Sequence, residues 1–260
     1  MLCSLLYSAD SALGKVTRDS LPHHTLLELL SEGFINGTDG FIRDKVAVVE
    51  IEQWKKLTID KNGNVTSITW MHFLSPNNIE GTIDLNFIPP TVEVFNISFN
   101  KISGSISLIA LPTALRGLKL NSNMFSGSVD LTLLPEHLQT LWLDSNKLSG
   151  TVDLTSLPKE IKWITLFQNA LVGEPDFTQL PESLQILDIS ETNIEGTPDF
   201  SKIPDSLELF DVANTRLSGS IVVQGNLLFK AAGSNVQVTR GQALADMNSQ
   251  IAERIALLDS

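Results

Sequence analysis

Cysteine is almost absent from this chain of 260 residues, and Cys3 is the single one. No intrachain disulfide can form, and a CxxC metal site is excluded. Basic residues are also few, because 18 Lys and Arg stand against 30 Asp and Glu and leave a net charge of −12. Nucleic acids and anionic membrane surfaces both bind clustered Lys and Arg, so the acidic balance argues against either partner.

Long apolar runs are absent as well. No stretch approaches ~18 uninterrupted apolar residues, so the sequence predicts no transmembrane segment. At the N-terminus no charge precedes the short apolar run Leu2–Tyr7, whereas a secretory signal has a basic start and a longer apolar core. The chain is nevertheless 42% hydrophobic, which is enough for the core of one large domain or two small ones.

Catalytic and metal-binding motifs are missing from the sequence. The four histidines, His23, His24, His72 and His137, have no metal-type partner at ligand spacing. There is no Gly-rich phosphate loop, no GxSxG elbow and no Cys–His arrangement. Because nothing supplies paired acid and base groups in a cleft, we predict that the protein is not an enzyme and that it holds no cofactor and no metal.

A 23-residue repeat organises most of the chain. Leu-Pro or Ile-Pro pairs recur at this constant interval and begin at Ile88, Leu111, Leu134, Leu157, Leu180 and Ile203. Counted from each pair, apolar residues occupy the fifth, eighth and tenth places, asparagine the thirteenth and glycine the seventeenth, as in LPEHLQTLWLDSNKLSGTVDLTS. One such unit cannot bury its own leucines, so the pattern predicts a stack of units with a continuous core.

The columns of the repeat have physical reasons. Residues at alternate places point to the same side of a strand, so the Leu-x-Leu segment predicts a short strand with both leucines inward. A buried asparagine amide can donate to and accept from the backbone where the chain leaves that strand. We therefore predict a structural ladder of asparagines, formed by Asn77, Asn100, Asn123, Asn146 and Asn169. Thr192 and Thr215 take this place in the last two full units, where weaker loop hydrogen bonding is expected.

These columns resemble the leucine-rich repeat family, whose pattern is LxxLxLxxNxL. The continuations ISGSI, FSGSV, LSGTV and LSGSI are similar to the LxGxI variant of plant receptor ectodomains and plant glycanase inhibitors. The 23-residue form with "LP" and "xDL" is similar to repeats in surface antigens of kinetoplastid protists. The resemblance implies an α/β solenoid, curved and right-handed. It also implies a parallel β-sheet on the concave face, short turns or 3-10 pieces on the convex face, and helical caps.

Both ends of such a stack need a cap. Residues 20–33 predict a helix with Pro22 near its first turn, and Leu57–Trp70 predicts a hairpin around Asn62 and Gly63. Residues 241–258 have apolar residues at helical spacing and predict a C-terminal capping helix, with a dimerisation or partner helix as the alternative. We thus expect an N-terminal capping region (1–64), about seven repeats (65–225), and a degenerate repeat with the capping helix (226–260).

A row of aspartates recurs at the twentieth place. Its members are Asp84, Asp130, Asp153, Asp176 and Asp199. Each of them could cap the next turn through its loop amides, or the row could bind divalent cations. We favour turn capping, because a calcium site needs several oxygens that converge on one ion.

The outward strand positions carry the most functional information, since they do not build the core. Neighbouring parallel strands lie ~4.8 Å apart, so outward residues of successive units should cluster. The predicted partner-binding residues are the aromatic Trp142, Trp163 and Phe167, the apolar Ile186 and Leu209, and the flanking charges Lys119, Arg116, Asp188 and Asp211. Exposed aromatics with a charged rim are the anatomy of a binding hot spot, although a loop packed over them is the alternative.

From these residues we predict a non-enzymatic module that binds a protein or peptide on the concave face, as a monomer rather than an oligomer. The alternative is a carbohydrate-binding or glycanase-inhibitor-like role, because aromatic faces stack on sugars and Asn121, Asp144 and Asp188 could bond hydroxyls. A purely structural scaffold comes third. The resemblance implies the cell surface or secretion, whereas the lack of a clear signal and of disulfide caps indicates the cytoplasm, so the sequence leaves the compartment open.

Overall fold

A computed structural model of the chain describes residues 18–36, 54–72 and 78–241. The fold is a β-solenoid of about 8 turns, with parallel strands and few helices. A 3-10 turn at Arg18–Ser20 and the helix α1 (His23–Ser31) precede the strands. The sequence predicted this helix, and Pro22 lies immediately before its first residue. No helix of the described ranges is long and apolar enough to cross a bilayer.

Each repeat supplies two short strands. In chain order the strands of the described residues are β1 (Phe34–Asn36), β2 (Leu57–Ile59), β3 (Val65–Thr69), β4 (Glu80–Gly81), β5 (Val94–Asn96), β6 (Lys101–Ser105), β7 (Gly117–Lys119), β8 (Met124–Gly127), β9 (Thr140–Trp142), β10 (Lys147–Gly150), β11 (Trp163–Thr165), β12 (Ala170–Gly173), β13 (Ile186–Asp188), β14 (Asn193–Gly196), β15 (Leu209–Asp211), β16 (Arg216–Val223), β17 (Leu228–Lys230) and β18 (Asn235–Arg240).

The Leu-x-Leu segments form one 9-stranded sheet, here called the leucine sheet. Its order is β17-β15-β13-β11-β9-β7-β5-β3-β2. The strands β2 and β3 form the predicted antiparallel hairpin, in which Leu57 pairs with Ile68. The strand β3 then pairs in parallel with β5, so the hairpin continues directly into the repeats.

A second 9-stranded sheet, here called the glycine sheet, is formed by the LxGxI halves of the units. Its order is β1-β4-β6-β8-β10-β12-β14-β16-β18. The repeat pattern predicted one parallel sheet and did not reveal this second one. Each LxGxI segment pairs with the same segment of the next unit, as Lys147 does with Ser126. Short 3-10 turns do occur among the described residues, at Leu85–Phe87, Leu131–Leu133 and Phe200–Lys202.

The core is a continuous row of inward side chains from successive units. At the eighth place, the side chains of Phe95, Leu118, Leu141, Ile164, Leu187 and Phe210 are all 0% exposed. Aromatic clusters lie toward both ends of this row. The rings of Trp54 and Trp70 stack 5.8 Å apart near α1, and the rings of Phe210 and Phe229 meet edge to face at 5.3 Å in the last units. Contacts of this kind fill the ends without any disulfide.

Asparagine side chains bond the loops of successive units together. The amide nitrogen of Asn123 donates to the carbonyl oxygens of Leu120 at 3.1 Å and of Ile97, in the preceding unit, at 3.0 Å. Its amide oxygen accepts from the backbone N–H of Ile102 at 3.1 Å. Asn100, Asn146 and Asn169 make the corresponding bonds. The Thr192 hydroxyl, at the same place, donates only to the carbonyl of Ile189.

Some predictions concern residues that the structure does not describe. Cys3, Asn77 of the ladder and residues 242–258 of the predicted C-terminal helix lie outside the described ranges. After Gly225 a shortened unit continues both sheets through β17 and β18. The domain boundaries that the sequence indicated remain predictions.

Candidate functional site on the outer face of the leucine sheet

The register of the leucine sheet aligns its outward residues in rows. In one row Lys119 pairs with Trp142, Trp142 with Thr165, and Thr165 with Asp188. Asp211 and Lys230 continue this row. A second row runs through Thr140, Trp163, Ile186, Leu209 and Leu228. The predicted residues of these rows therefore lie together on one face, here called the outer face of the leucine sheet.

Two tryptophans of this face differ from the two in the core. The side chains of Trp54 and Trp70 are 5% and 0% exposed, whereas Trp163 is 39% exposed. The Trp163 indole N–H donates to Oε1 of Gln185 at 3.1 Å, which holds the ring in place. Trp142 is half-buried and lies under a cation, because Nζ of Lys119 is 4.0 Å from its ring centroid. The arrangement is a cation–π contact.

Carboxylates on the same face are poorly solvated. Asp144 is only 6% exposed, and its Oδ1 accepts from the Thr165 hydroxyl at 2.6 Å. Oδ1 of Asp188 accepts from the backbone N–H and the hydroxyl of Ser190 at 3.0 and 2.6 Å. Burial raises the pKa of both carboxyl groups above the usual aspartate value, and the charge of Asp211 raises the pKa of Asp188 further.

Two of the predicted flanking charges have ionic partners that the sequence analysis missed. Lys230 lies 3.0 Å from Asp211, and Glu160 lies 3.9 Å from Arg116. Glu160 also contacts the His137 ring at 2.8 Å, and this hydrogen bond is the main reason why the pKa of Glu160 is lowered. Glu160 stands one full repeat after His137, so the period could have revealed that contact. Lys230 belongs to the shortened unit and stands less than one repeat after Asp211, so the period could not reveal their contact.

The face thus combines aromatic, apolar and charged side chains in a fixed order. Trp142, Trp163 and Phe167 are all partly exposed, and Ile186 and Leu209 extend the apolar surface toward β15. Among the flanking charges, Arg116 and Asp211 are paired within the chain. One basic and one acidic charge of the predicted rim are therefore partly compensated within the chain.

The recurring aspartates of the other half-repeat lie in turns. Oδ1 of Asp153 accepts from the backbone N–H of Thr155 at 2.8 Å, and four further aspartates bond the residue two places on in the same way. Hydrogen bonds from the side chains of the residues two places on, and next from their backbone N–H groups, lower the pKa of Asp130, Asp153, Asp176 and Asp199. Within the described residues, no group of three or more His, Cys, Asp or Glu is placed to hold a metal ion. The carboxylates of the row are caps of turns.

A groove of about 1050 Å³ lies near the last units, outside the predicted surface. Phe200, Leu207, Ile221 and Val222 contribute its apolar lining. Gln185, which bonds Trp163, also lines the groove. Nothing in the sequence pattern pointed to this groove, which is lined by the end of β16, the longest strand of the described residues, and by the loop after it.

Comparison with known proteins gives similarity in structure alone. The sequence matches no protein-family model and no curated protein. Among solved structures, a plant ice-binding protein is similar, with a TM-score of 0.60, 19% identity, and coverage of 82% of this chain and 71% of that chain. A pollen receptor kinase 3 is similar at a TM-score of 0.55 and 18% identity over 83% of this chain and 96% of that chain. PEPR1-AtPEP1 is similar at a TM-score of 0.55 and 21% identity, and the match covers 80% of this chain and 34% of that chain.

These similarities and the repeat agree on the class of fold. The three similar structures have TM-scores of 0.55 to 0.60, and the chain is a β-solenoid with parallel strands, as the repeat predicted. The sequence prediction of a leucine-rich repeat solenoid is therefore confirmed. The resemblance to protist surface antigens remains a prediction.

Proposed function

We propose that the protein is a non-enzymatic recognition module that binds a protein or peptide on the outer face of the leucine sheet. The observation that supports this most is the exposure of Trp163, because 39% of a large aromatic side chain stays in contact with water although its indole N–H is fixed by Gln185. A held, partly exposed aromatic ring loses little conformational entropy when a partner covers it.

The composition of the face supports the same proposal. Trp142 lies on β9, which pairs with the strand β11 of Trp163, and Phe167 stands two places after the end of β11. Polar groups surround these aromatic residues. Partner surfaces of this kind place aromatic anchors at the centre and charges at the rim. The similar solved structures include a pollen receptor kinase 3 and PEPR1-AtPEP1, which supports protein or peptide binding in general, as well as a plant ice-binding protein. Their identity to this chain is low, so the partner is not carried over from them.

The carbohydrate-binding alternative has less support on this face. Asn121, one of the three groups that could bond sugar hydroxyls, is only 7% exposed and already accepts from the hydroxyl of Ser98. A glycan array would separate the two functions, because binding to immobilised glycans that Trp163→Ala abolishes would favour the carbohydrate role.

A substitution at the anchor tests the proposal. Trp142→Ala should weaken the binding of a captured partner by ~2 kcal/mol or more, because a buried aromatic anchor carries that much of a hot spot. The thermal unfolding midpoint should change little, since the ring is only half-buried in the free protein. The measurement is an affinity capture from secreted and cytosolic fractions, followed by calorimetric titration with the purified partner.

Met124→Ala is the control, because Met124 is a large apolar residue that is 39% exposed but lies on the glycine sheet. It should leave binding unchanged. If Trp142→Ala reduced stability and binding by equal amounts, Trp142 would be a structural residue and the proposed surface would be wrong.

A further inference from the structure

A small residue on the outer face of the leucine sheet creates a notch between larger ones. Thr165 pairs with Trp142 on one side and with Asp188 on the other. Along its own strand, Trp163 stands two places before it, and alternate residues of a strand project to the same side, while Phe167 follows the end of the strand by two places. The Thr165 side chain therefore lies among those of Trp142, Trp163 and Asp188, and this position is here called the notch.

A second carboxylate lies at the base of this notch. Oδ1 of Asp144 accepts from the Thr165 hydroxyl at 2.6 Å, and Asp144 itself is 6% exposed. Within the described residues, Asp144 and Asp188 form no salt bridge, whereas Asp211 in the next strand pairs with Lys230. Two poorly solvated carboxylates without an ionic partner thus surround the notch. A cation that reached them would supply the missing counter-charge.

The chain itself shows that an aromatic wall of the notch accepts a cation. Nζ of Lys119 lies 4.0 Å from the centroid of the Trp142 ring. Cations bind over aromatic faces because the ring quadrupole attracts them, and carboxylates nearby add a directional hydrogen bond. Aromatic faces and carboxylates together match a guanidinium or ammonium group better than a neutral or anionic one.

We propose that the partner of the outer face is a basic peptide segment, and that one of its arginine or lysine side chains enters the notch at Thr165 and pairs with Asp188 and Asp144. This inference rests on the proposed function and adds the chemistry of the partner to it. Burial raises the pKa of both aspartates, and at Asp188 the charge of Lys230 offsets this rise only in part.

Selection from a library of displayed random peptides tests the inference. Peptides are selected on the wild-type protein and depleted on the Trp142→Ala/Trp163→Ala double variant, so that only those that need the aromatic residues remain. We expect these peptides to be enriched in arginine or lysine. Synthetic copies should bind Asp188→Asn about 10-fold more weakly than wild type, because a charge-assisted hydrogen bond is lost.

Asp188→Asn keeps the oxygen that accepts from Ser190, so it preserves the loop. The matched control is Glu182→Gln, which removes one exposed acidic group elsewhere and should change the affinity less than about 2-fold, since distant surface charges are screened. Replacement of the peptide's arginine by the neutral isostere citrulline tests the same contact from the other side and does not depend on the folding of any variant.

The outcomes separate the two proposals. Peptides that need both tryptophans, contain no basic residue and bind Asp188→Asn as tightly as wild type would overturn the notch inference and leave the proposed function standing. A library that yields no peptide dependent on the tryptophans would overturn the proposed function and the inference with it. Equal weakening by Asp188→Asn and Glu182→Gln would show that only the overall negative charge attracts the peptides, which also overturns the inference.

Discussion

Single asparagines join neighbouring units, because each amide serves the backbone of two loops at once. Asn146 donates to the carbonyls of Leu143 and Leu120 and accepts from the N–H of Phe125. These carbonyl and N–H groups lie outside the regular hydrogen bonding of the two sheets. A buried asparagine amide is the least costly way to give them hydrogen-bond partners. In the last units Thr192 and Thr215 replace the asparagine, and hydrogen bonds to the loops are lost, since each hydroxyl donates to one carbonyl only.

Asn146→Ala should reduce the free energy of unfolding by ~1–3 kcal/mol, because several buried backbone groups lose their partner. Asn146→Thr should lie between this variant and wild type, as a threonine hydroxyl can still bond the carbonyl three residues back. Urea denaturation measures both changes. The exposed Asn226 supplies the control, and Asn226→Ala should alter stability by less than about 0.5 kcal/mol. A change as small for Asn146→Ala would contradict the role of the amide.

The poorly solvated Asp188 predicts a pH-dependent effect. Burial, and next the charge of Asp211, raise the pKa of Asp188 above the usual 3.8, so the folded protein binds this proton more readily than the unfolded chain. Stability should therefore fall as pH rises from 3.8 through the raised pKa, because the unfolded state then binds fewer protons than the folded state. Asp188→Asn removes this pH-dependent loss of stability and keeps the side-chain oxygen that accepts the hydrogen bonds from Ser190.

The variant should be more stable than wild type at about pH 7, and the difference should shrink toward about pH 3. Urea denaturation at a series of pH values gives the comparison, with Glu182→Gln as a control of equal charge change. A variant less stable than wild type at neutral pH would mean that the hydrogen bonds from Ser190 favour the carboxylate more than burial disfavours it.

Five strands of the glycine sheet end at a glycine whose backbone conformation a residue with a side chain could not easily adopt. Gly150 has a φ of 80°, and a Cβ built on it would lie 3.1 Å from Cβ of Ser128 in the preceding unit. The hairpin glycine Gly63 has a nearly identical φ of 82°, but no atom lies within 4 Å of its ideal Cβ. The two positions therefore separate backbone strain from steric contact with the next unit.

Gly63→Ala should cost about 1 kcal/mol through strain alone, and Gly150→Ala should cost more because its methyl group also presses on Ser128. Equilibrium unfolding of both variants gives the difference. Ser128→Gly, introduced into the Gly150→Ala background, should recover the excess. If the two single variants were equally destabilised, the close approach of successive strands would contribute nothing.

The sequence predicted the elements whose pattern is local. Alternation in Leu-x-Leu predicted the strands of the leucine sheet, Pro22 and the following leucines predicted α1, and the aspartate column indicated capped turns. The glycine sheet was missed because a short strand that contains Ser and Gly has no strand-like pattern of its own, and forms only by pairing with its counterparts in the adjacent units. Contacts outside the period, such as that of Lys230 with Asp211, could not be predicted from the columns.

Across the whole molecule, electrostatic interactions and side-chain packing act over different distances. The net charge of −12 includes a turn-capping row of aspartates, the ion-paired Asp211, and the uncompensated Asp144 and Asp188. Only the last two lie beside exposed aromatic rings without an ionic partner in the described residues. Packing, by contrast, acts between neighbours, because each strand of the leucine sheet pairs only with the strands of adjacent units.

Nearest-neighbour packing predicts that damage in a central unit stays local. Leu141 is 0% exposed in β9, and Leu141→Ala should cost ~2–5 kcal/mol through lost burial and a residual cavity. Native-state hydrogen exchange should then show the largest loss of protection in β7, β9 and β11, which carry Leu118, Leu141 and Ile164. The amides of β3 and β16, several units away, should lose less, because they retain their own neighbours and the aromatic clusters near them. An equal loss of protection in all these strands would instead show that the solenoid opens as one cooperative unit.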